Sequence, residues 1–468
     1  MRFQKTLLAG AVALALSPQL FAQDSEAAQQ PAQPAQQNKQ QDARGGSTAQ
    51  RLAPLVVESS IERDAVINLL DADELGRRQV DDFEDMVRLL PGVSVSRGDD
   101  RWGASGFNIR GLDEDRVAMN VDGVPQGETI RYETGQPYGY FKGNRNGTEI
   151  ETLKAVEIVK GADSILSGSG SLAGAVNMTT KDPDDYLAAN GNDTGGDFRT
   201  RYSSANDQSM ASIAFANRYG KLESLLIYTR RDGHEFESYD MGALDVAGPA
   251  REIPDPQKTE VDNVLAKLIY EFRPGHEIGI NASYHDQTRF SDMQSFNGGW
   301  YANRVGNDVA TTERFGITHQ YVGSTLLFDR IESAVNHQKV AFEANTTQHV
   351  NIPPSTNEER TDTRSFDQEL LQVTVDLDKT IDVDTLQHNF SYGIEMQNKE
   401  FLNRQTRRAN SALNTRGWVT TNIGALVPTA EADIVTLYAL DTFDAGPSTQ
   451  LRIGARYDDY TYDARTTA

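Results

Sequence analysis

A long array of alternating apolar and polar residues constrains this chain more than any other feature. The alternation runs from about Asp197 to the end, and in segment 263–272 apolar side chains fall on one strand face and polar ones on the other. A tight turn at 273–276 follows, and the pattern recurs in segments 277–285 and 451–457. Strands of about ten residues with this two-residue period are typical of outer-membrane β-barrels. The alternative is a large secreted β-sandwich, whose strands would be shorter and whose polar face would meet solvent.

The average composition hides this pattern. Mean hydropathy is −0.55, a value that by itself indicates a soluble protein. Apolar and polar faces cancel in such an average, so the value does not oppose a barrel. The 68 acidic and 45 basic residues give a formal net charge of −23, which repels phosphate backbones, and we expect no nucleic-acid partner. The absence of cysteine excludes disulfides, zinc fingers, iron–sulfur clusters and thiol catalysis.

The N-terminal residues are predicted to serve export and tethering. Arg2 and Lys5 precede an apolar run at 7–16, which is too short to cross a bilayer as a helix. This order, followed by the small residue Ala22, is typical of a signal peptide at residues 1–22; the alternative is a buried N-terminal helix. Residues 23–52 are rich in Gln and Ala with few large apolar side chains, which predicts a disordered tether.

A short β-prone segment at 53–59 ends the tether. Proline without an N–H and two adjacent valines favour an extended chain. An extended segment on a flexible tether is suited to adding itself to the sheet edge of another protein. The alternative is the first strand of the following domain. The residues that would make the contact are Pro54, Leu55, Val56, Val57 and Glu58.

A compact α/β domain is predicted next. A helix is expected at 81–90, where four apolar residues have helical spacing before Pro91-Gly92. Strands are expected at 93–95, 107–111, 116–121, 153–160 and 174–181. Asp122-Gly123 marks a hairpin turn.

Five blocks in this domain resemble the plug domain of TonB-dependent outer-membrane receptors. They are LLPGV (89–93), NIRGL (108–112), NVDGVPQ (120–126), VEIVKGA (156–162) and GSGSLAGAVN (168–177). Further segments are similar to the haemoglobin/transferrin/lactoferrin receptor branch, and within it to the haemoglobin–haptoglobin type. These segments are GFNIRGLDEDRV (106–117), PQGE (125–128) and GYFKGNRNG (139–147).

The resemblance implies a domain plan. An α/β plug at 60–185 would lie inside an antiparallel transmembrane β-barrel of the 22-stranded family, and segment 53–59 would be the TonB box. Residues 186–468 hold about 11 strands and lack a terminal aromatic residue, so we expect them to be the N-terminal half of a truncated barrel. An unclosed barrel would leave an unpaired strand edge.

The same resemblance implies a function. We expect TonB-dependent active uptake of haem or iron from an extracellular haemoglobin-class protein, in the Gram-negative outer membrane. The alternatives are a ferric-siderophore or transferrin/lactoferrin receptor of the same family, or a passive porin or adhesin. No enzyme motif is found, so we expect no catalysis, no intrinsic cofactor and no resident metal, with haem or ferric iron as cargo. The expected partners are TonB, the iron or haem carrier or siderophore, and outer-membrane lipid.

The resemblance also places candidate site residues. Apical plug loops would contact the ligand, because aromatic and Arg side chains suit both haem propionates and a protein surface; the alternative is packing against the barrel wall. The residues concerned are Arg97, Arg101, Trp102, Arg131, Tyr132, Tyr138, Tyr140, Phe141 and Arg145. Arg110 is expected to pair with lumen or plug carboxylates. Gly111, Asp122, Gly123 and Gly161 complete the structural plug motif, the glycines through special backbone angles.

Overall fold

The computed structural model describes thirteen segments of the chain. They are residues 67–97, 101, 104–129, 131–132, 141–142, 147–168, 170–237, 242–353, 356–384, 386–411, 417–424, 428–446 and 449–465. The predicted signal peptide, tether and TonB box lie outside these residues. No helix in the described segments combines the length and apolar character needed to cross a membrane.

The plug is built on a five-stranded mixed sheet. Its strand order is β1–β8–β9–β4–β5, in which β4 and β9 run parallel and the other pairs antiparallel. Two two-stranded ladders, β2–β3 and β6–β7, lie outside this sheet. The strands are β1 (Ile67–Asp71), β2 (Val93–Arg97), β3 (Ala104–Ile109), β4 (Val117–Val121), β5 (Val124–Pro125), β6 (Arg131–Tyr132), β7 (Phe141–Lys142), β8 (Leu153–Lys160) and β9 (Gly174–Thr180). The strands expected near 93–95, 107–111, 116–121 and 174–181 are therefore present with shifted ends, and the one expected at 153–160 has the predicted bounds.

Three short α-helices accompany the sheet: α1 (Ala72–Arg77), α2 (Phe83–Val87) and α3 (Ser164–Ser167). In α2 the Asp82 carboxylate caps the first turn by accepting from the N–H of Asp85 at 2.8 Å. The helix predicted at 81–90 is shorter at both ends, because Asp82 is its cap and its last residues form a turn before Pro91-Gly92. Its apolar residues are buried, and the Phe83 ring meets the edge of Phe107 with 5.4 Å between ring centroids.

The remaining strands form one antiparallel sheet. Eleven strands follow chain order, and a short twelfth, β19, pairs only with β18, in agreement with the expected number of about 11. Within the described segments, the first and last strands each have one neighbour. The strands are β10 (Asp193–Ser203), β11 (Gln208–Tyr219), β12 (Leu222–His234), β13 (Gln257–Arg273), β14 (His276–Asp292), β15 (Tyr301–Val322), β16 (Arg330–Ile352), β17 (Thr356–Val383), β18 (Leu386–Ser411), β19 (Trp418–Gly424), β20 (Thr429–Gly446) and β21 (Thr449–Arg465).

The strands are longer than the expected ten residues. β17 contains 28 residues and β18 contains 26. At about 3.3 Å per residue, a strand of that length extends about 90 Å, whereas the apolar band of such barrels is about 25 Å tall. The longest strands therefore extend well beyond one apolar band. The alternation did not predict this length, because the alternating pattern continues past the membrane boundary.

Burial on this sheet is inverted relative to a water-soluble protein. On β13 the polar side chains of Asn263 and Lys267 are only 4% and 9% exposed. On the opposite face Leu268 and Tyr270 are each 46% exposed and Phe272 is 42% exposed. A secreted sandwich would bury the apolar face instead. The apolar face is thus the outer, lipid-facing surface, and the polar face lines an interior that the plug occupies.

Candidate functional site

The predicted apical ligand residues are only partly described. Trp102, Tyr138, Tyr140 and Arg145 lie outside the described residues. Arg131 and Tyr132 form β6 and pair with Lys142 and Phe141 of β7, and Arg97 ends β2. The contact of these residues with a ligand stays a prediction.

Arg101 belongs to the plug, and its side chain contacts the barrel wall. Its guanidinium forms a buried ion pair with both carboxylate oxygens of Asp308 on β15, with 2.8 Å between Arg101 Nε and Asp308 Oδ2. It also donates to Thr346 Oγ1 on β16 at 2.8 Å. Only 5% of Arg101 is exposed. In this structure the barrel wall occupies its donors, so Arg101 anchors the apical loop and does not face solvent.

Five charged residues fasten the plug to the first strands of the sheet. Arg231 of β12 donates both its Nε and Nη2 to Glu149, at 2.9 and 2.7 Å, and its Nη1 to Asp81 at 2.7 Å. Arg201 of β10 also donates to Asp81, at 2.9 Å, and lies 3.5 Å from Glu151. We call Asp81, Glu149, Glu151, Arg201 and Arg231 the plug–wall ion cluster. Its arginines lie 50 or more positions from their carboxylates, so the sequence pattern did not single it out.

A second ionic contact lies one strand further along the wall. Lys267 of β13 reaches into the plug, where Nζ donates to Asp182 at 2.9 Å and lies 3.8 Å from Asp122. The Asp122 carboxylate accepts from the N–H of Thr180 at 2.9 Å and from its hydroxyl at 2.5 Å. The carboxylates at the base of the plug are thereby held by cations of β10, β12 and β13.

These contacts set the ionisation of the plug carboxyls. Burial raises the pKa of Asp182, but Lys267 and Lys154 outweigh burial and lower it to about 2. Burial also acts against ionised Asp81 and Glu149, yet Arg231 holds the pKa of each below its usual value. All three side chains are therefore charged at neutral pH.

The lowered pKa of Asp182 predicts how plug stability responds to pH. A carboxyl with a lower pKa in the folded state stabilises above its unfolded pKa, here 3.8, and that contribution is lost as pH falls through the folded value. We expect the thermal unfolding midpoint to stay constant from about pH 8 to 5 and to drop between about pH 4 and 2. Calorimetry of the purified full-length protein across this range tests it; a drop near pH 6 would contradict it.

The other side of the plug meets a wall of neutral amides. Gln338 of β16 donates from Nε2 to the carbonyl of Pro125 at 2.8 Å. Gln368 of β17 exchanges two hydrogen bonds with the backbone of Glu128, at 2.6 and 2.7 Å. Gln372 of β17 donates to the carbonyl of Gly123 at 3.2 Å. Neutral hydrogen bonds are weaker than charge-assisted ones, so each of these amide contacts holds the plug less firmly than an ion pair of the cluster does.

The structural plug motif lies at tight turns. Gly111, Gly123 and Gly161 adopt φ of +88°, +76° and +146°, a region in which side chains are strained. Asp122 has φ +50° and forms the β4–β5 turn with Gly123. Arg110 has no ion-pair partner among the described residues; its N–H donates to the Gly92 carbonyl at 2.9 Å. The expected pairing of Arg110 with a carboxylate is thus not seen in this part of the chain.

The seven histidines all lie on strands of the large sheet. In the described segments, no group of three or more His, Cys, Asp or Glu side chains could hold a metal ion. His285 faces the interior and lies beside Asn263, with 3.4 Å between its Nδ1 and the amide nitrogen.

Comparison with known proteins identifies the plug. The sequence model of the family described as TonB-dependent Receptor Plug Domain matches residues 60–175. Hemoglobin-binding protein A of Haemophilus influenzae is 36% identical over 294 residues, which are 59% of this chain and 29% of that protein. The hemoglobin and hemoglobin-haptoglobin-binding protein of Haemophilus ducreyi is 35% identical over 65% of this chain and 33% of its own length. The chain thus aligns with about a third of these relatives.

Solved structures share the fold. The hemophore receptor HasR of Serratia marcescens, in complex with its hemophore HasA and heme, superposes with a TM-score of 0.60 at 17% identity, over 85% of this chain and 52% of that chain. The pyoverdine receptor FpvA of Pseudomonas aeruginosa gives 0.62 at 14% identity, over 86% and 53%. The chain thus contains a TonB-dependent receptor plug domain at 60–175, shares its fold with solved receptors of this kind, and resembles the Haemophilus haemoglobin-binding proteins in sequence.

Proposed function

We propose that this protein takes up haem or iron from an extracellular haemoglobin-class protein across the outer membrane, driven by TonB. The observation that carries the proposal is the identity of about 35% to proteins named as haemoglobin-binding, over a stretch equal to about 60% of this chain. The plug inside a polar-lined sheet supports a gated route, because a passive pore needs an open lumen.

The proposed cycle assigns a task to each segment. The carrier binds the apical loops, including the nine predicted Arg and aromatic residues. Segment 53–59 then pairs with TonB as an added strand in the periplasm. The outer membrane has no ATP, so TonB supplies the work from the inner-membrane proton gradient. The pull breaks plug–wall contacts, and the cargo passes.

Two alternatives use different cargo or no coupling. A ferric-siderophore or transferrin/lactoferrin receptor would share the plug and the barrel, and FpvA shows that siderophore receptors have this fold. A porin or adhesin would work without TonB. Uptake that continues after the proton gradient is collapsed would favour this second alternative.

Growth on single iron sources tests the cargo. We expect deletion of the full-length gene to abolish growth on haemoglobin as sole iron source, and the restored gene to recover it. Parallel cultures with transferrin and with ferric siderophores should grow equally with and without the gene. If deletion removes growth on a siderophore and spares growth on haemoglobin, the proposed cargo is wrong.

A further inference from the structure

A cavity of about 30 Å³, open to solvent, separates the plug from the wall at β13–β16. On the plug side it is lined by the β4–β5 turn and by Gly147, Thr148 and Glu149. On the wall side its polar lining comes from Asn263, Asn281, Ser283, Arg314 and Asn336. The cavity lies between the ionic contact at Lys267 and the amide contacts of β16 and β17.

Arg314 is the cation of this cavity, and its donors meet only neutral acceptors. Nε donates to Gln338 Oε1 at 2.6 Å, and Nη2 donates to Gln126 Oε1 at 2.5 Å and to Thr148 Oγ1 at 3.4 Å. No carboxylate in the described part of the chain forms an ion pair with it. A partly buried guanidinium without a counter-charge is costly, because its charge has lost water without gaining a partner.

The two carboxylates that line the cavity are already engaged elsewhere. Glu149 receives both donors of Arg231. Asp122 accepts from Thr180 and lies 3.8 Å from Lys267. Arg314 is therefore the charge in the cavity that lacks a matching anion.

Polar side chains around Arg314 are arranged for a further partner. Asn281, Gly316 and Asn336 are direct cross-strand neighbours, and a Cβ at Gly316 would lie within 2.7 Å of both amides. Glycine at this position leaves the space that the two amides use. Asn263 also lines the cavity; it is 4% exposed, and its amide oxygen has no hydrogen-bond partner. A buried acceptor is rarely left unpaired, and this oxygen calls for a hydrogen-bond donor such as a water, so the preference of the cavity for an anion rests on Arg314.

We infer that Arg314 and the surrounding amides form a subsite for a carboxylate group of the cargo on its way past the plug. The inference rests on the proposed function for the identity of the cargo. A guanidinium binds a carboxylate through paired charge-assisted hydrogen bonds. The site lies between the ionic contact of Lys267 on β13 and the amide contacts of β16 and β17, on the boundary between plug and wall.

Thiol labelling tests the subsite without any transport, since the chain contains no cysteine. Ser283 is the direct cross-strand neighbour of Arg314. In the intact protein in outer-membrane vesicles, we expect Ser283→Cys to react about tenfold faster with a sulfonate-bearing methanethiosulfonate than with a trimethylammonium-bearing one. Adding Arg314→Gln should remove this preference. Equal rates for the two reagents, or a preference that survives Arg314→Gln, would overturn the inference.

Ser391→Cys is the matched control. Ser391 also faces the interior, but its hydroxyl donates to Asp378 at 2.7 Å. Its labelling should favour the cationic reagent, which shows that the assay reports local charge.

Protection by ligand then tests the carboxylate assignment. Haemin, which carries two carboxylates, should slow labelling of Ser283→Cys more than an equal concentration of inorganic phosphate does. Equal protection would assign the cavity to small anions and overturn the cargo contact. Failure of the haemoglobin growth test with charge-selective labelling intact would instead refute the proposed carrier.

Discussion

Replacing Arg231 with methionine is expected to loosen the plug strongly. The substitution preserves much of the side-chain volume and leaves the Glu149 carboxylate, whose side chain is 3% exposed, without the cation that neutralises it. Removing one partner of a buried pair costs about 3–5 kcal/mol, most of it from the stranded charge. We expect faster proteolysis of the plug and a lower unfolding midpoint in the detergent-solubilised full-length protein.

The neighbouring residue supplies a control. Arg230 faces outward, its side chain is 39% exposed, and its partners Asp232, Glu260 and Asp262 are similarly exposed. Arg230→Met should lower the free energy of unfolding by no more than about 1 kcal/mol, which is typical of exposed ion pairs. The loss of stability in Arg231→Met should shrink as pH falls, because the cost of burying an unpaired carboxyl applies only to the charged form of Glu149. Similar losses in both variants would show that the plug–wall ion cluster does not hold the plug.

The sequence predicted the elements of this fold better than their extents. Alternation over 263–272 and 277–285 predicted which residues of these stretches share a face of β13 and β14, and the structure buries the polar face. Five plug elements were not predicted: β1, α1, α3 and the two-residue strands β6 and β7. β1 (Ile67–Asp71) is too short to show an alternating pattern, and its pairing with β8 defines it. Helix α1 follows β1 directly, with Asp71 as its N-cap. Helix α3 is a single turn inside a Gly/Ser-rich loop. These elements are too short to produce a recognisable local pattern, and contacts with other segments stabilise them.

The candidate site was harder to predict than the fold. Aromatic and Arg residues in the apical loops drew attention by type, yet Arg101 pairs with Asp308, a residue 207 positions away. Arg230 and Arg231 are adjacent, and the strand register decides which of them faces inward. The partner of the inward arginine depends on the position of the plug inside the sheet. Arg314 carries no motif; its importance comes from the fact that no carboxylate of the described residues forms an ion pair with it. Such relations between distant segments are not present in local patterns.

Replacing Val56 with proline is expected to abolish uptake and leave cargo binding unchanged. Strand addition requires backbone N–H groups of segment 53–59 to pair with the edge of TonB, and proline removes one such donor in the middle of the segment. In the proposed cycle the carrier binds on the opposite side of the membrane, at the apical loops, and this binding does not require the pairing. Uptake of haem iron should fall to the level of the deletion strain, while whole cells still bind labelled haemoglobin with unchanged affinity.

A proline placed in the tether separates loss of pairing from loss of chain flexibility. Gln40→Pro alters a segment predicted to remain disordered, where Pro31 and Pro34 already occur. We expect uptake by this variant to match the parent, because a disordered tether only has to span a distance and makes no sheet hydrogen bonds. If Val56→Pro still supports uptake, segment 53–59 is not the TonB box. If both variants fail equally, the tether contributes more than reach, and pairing at Val56 is not the step that couples TonB to the plug.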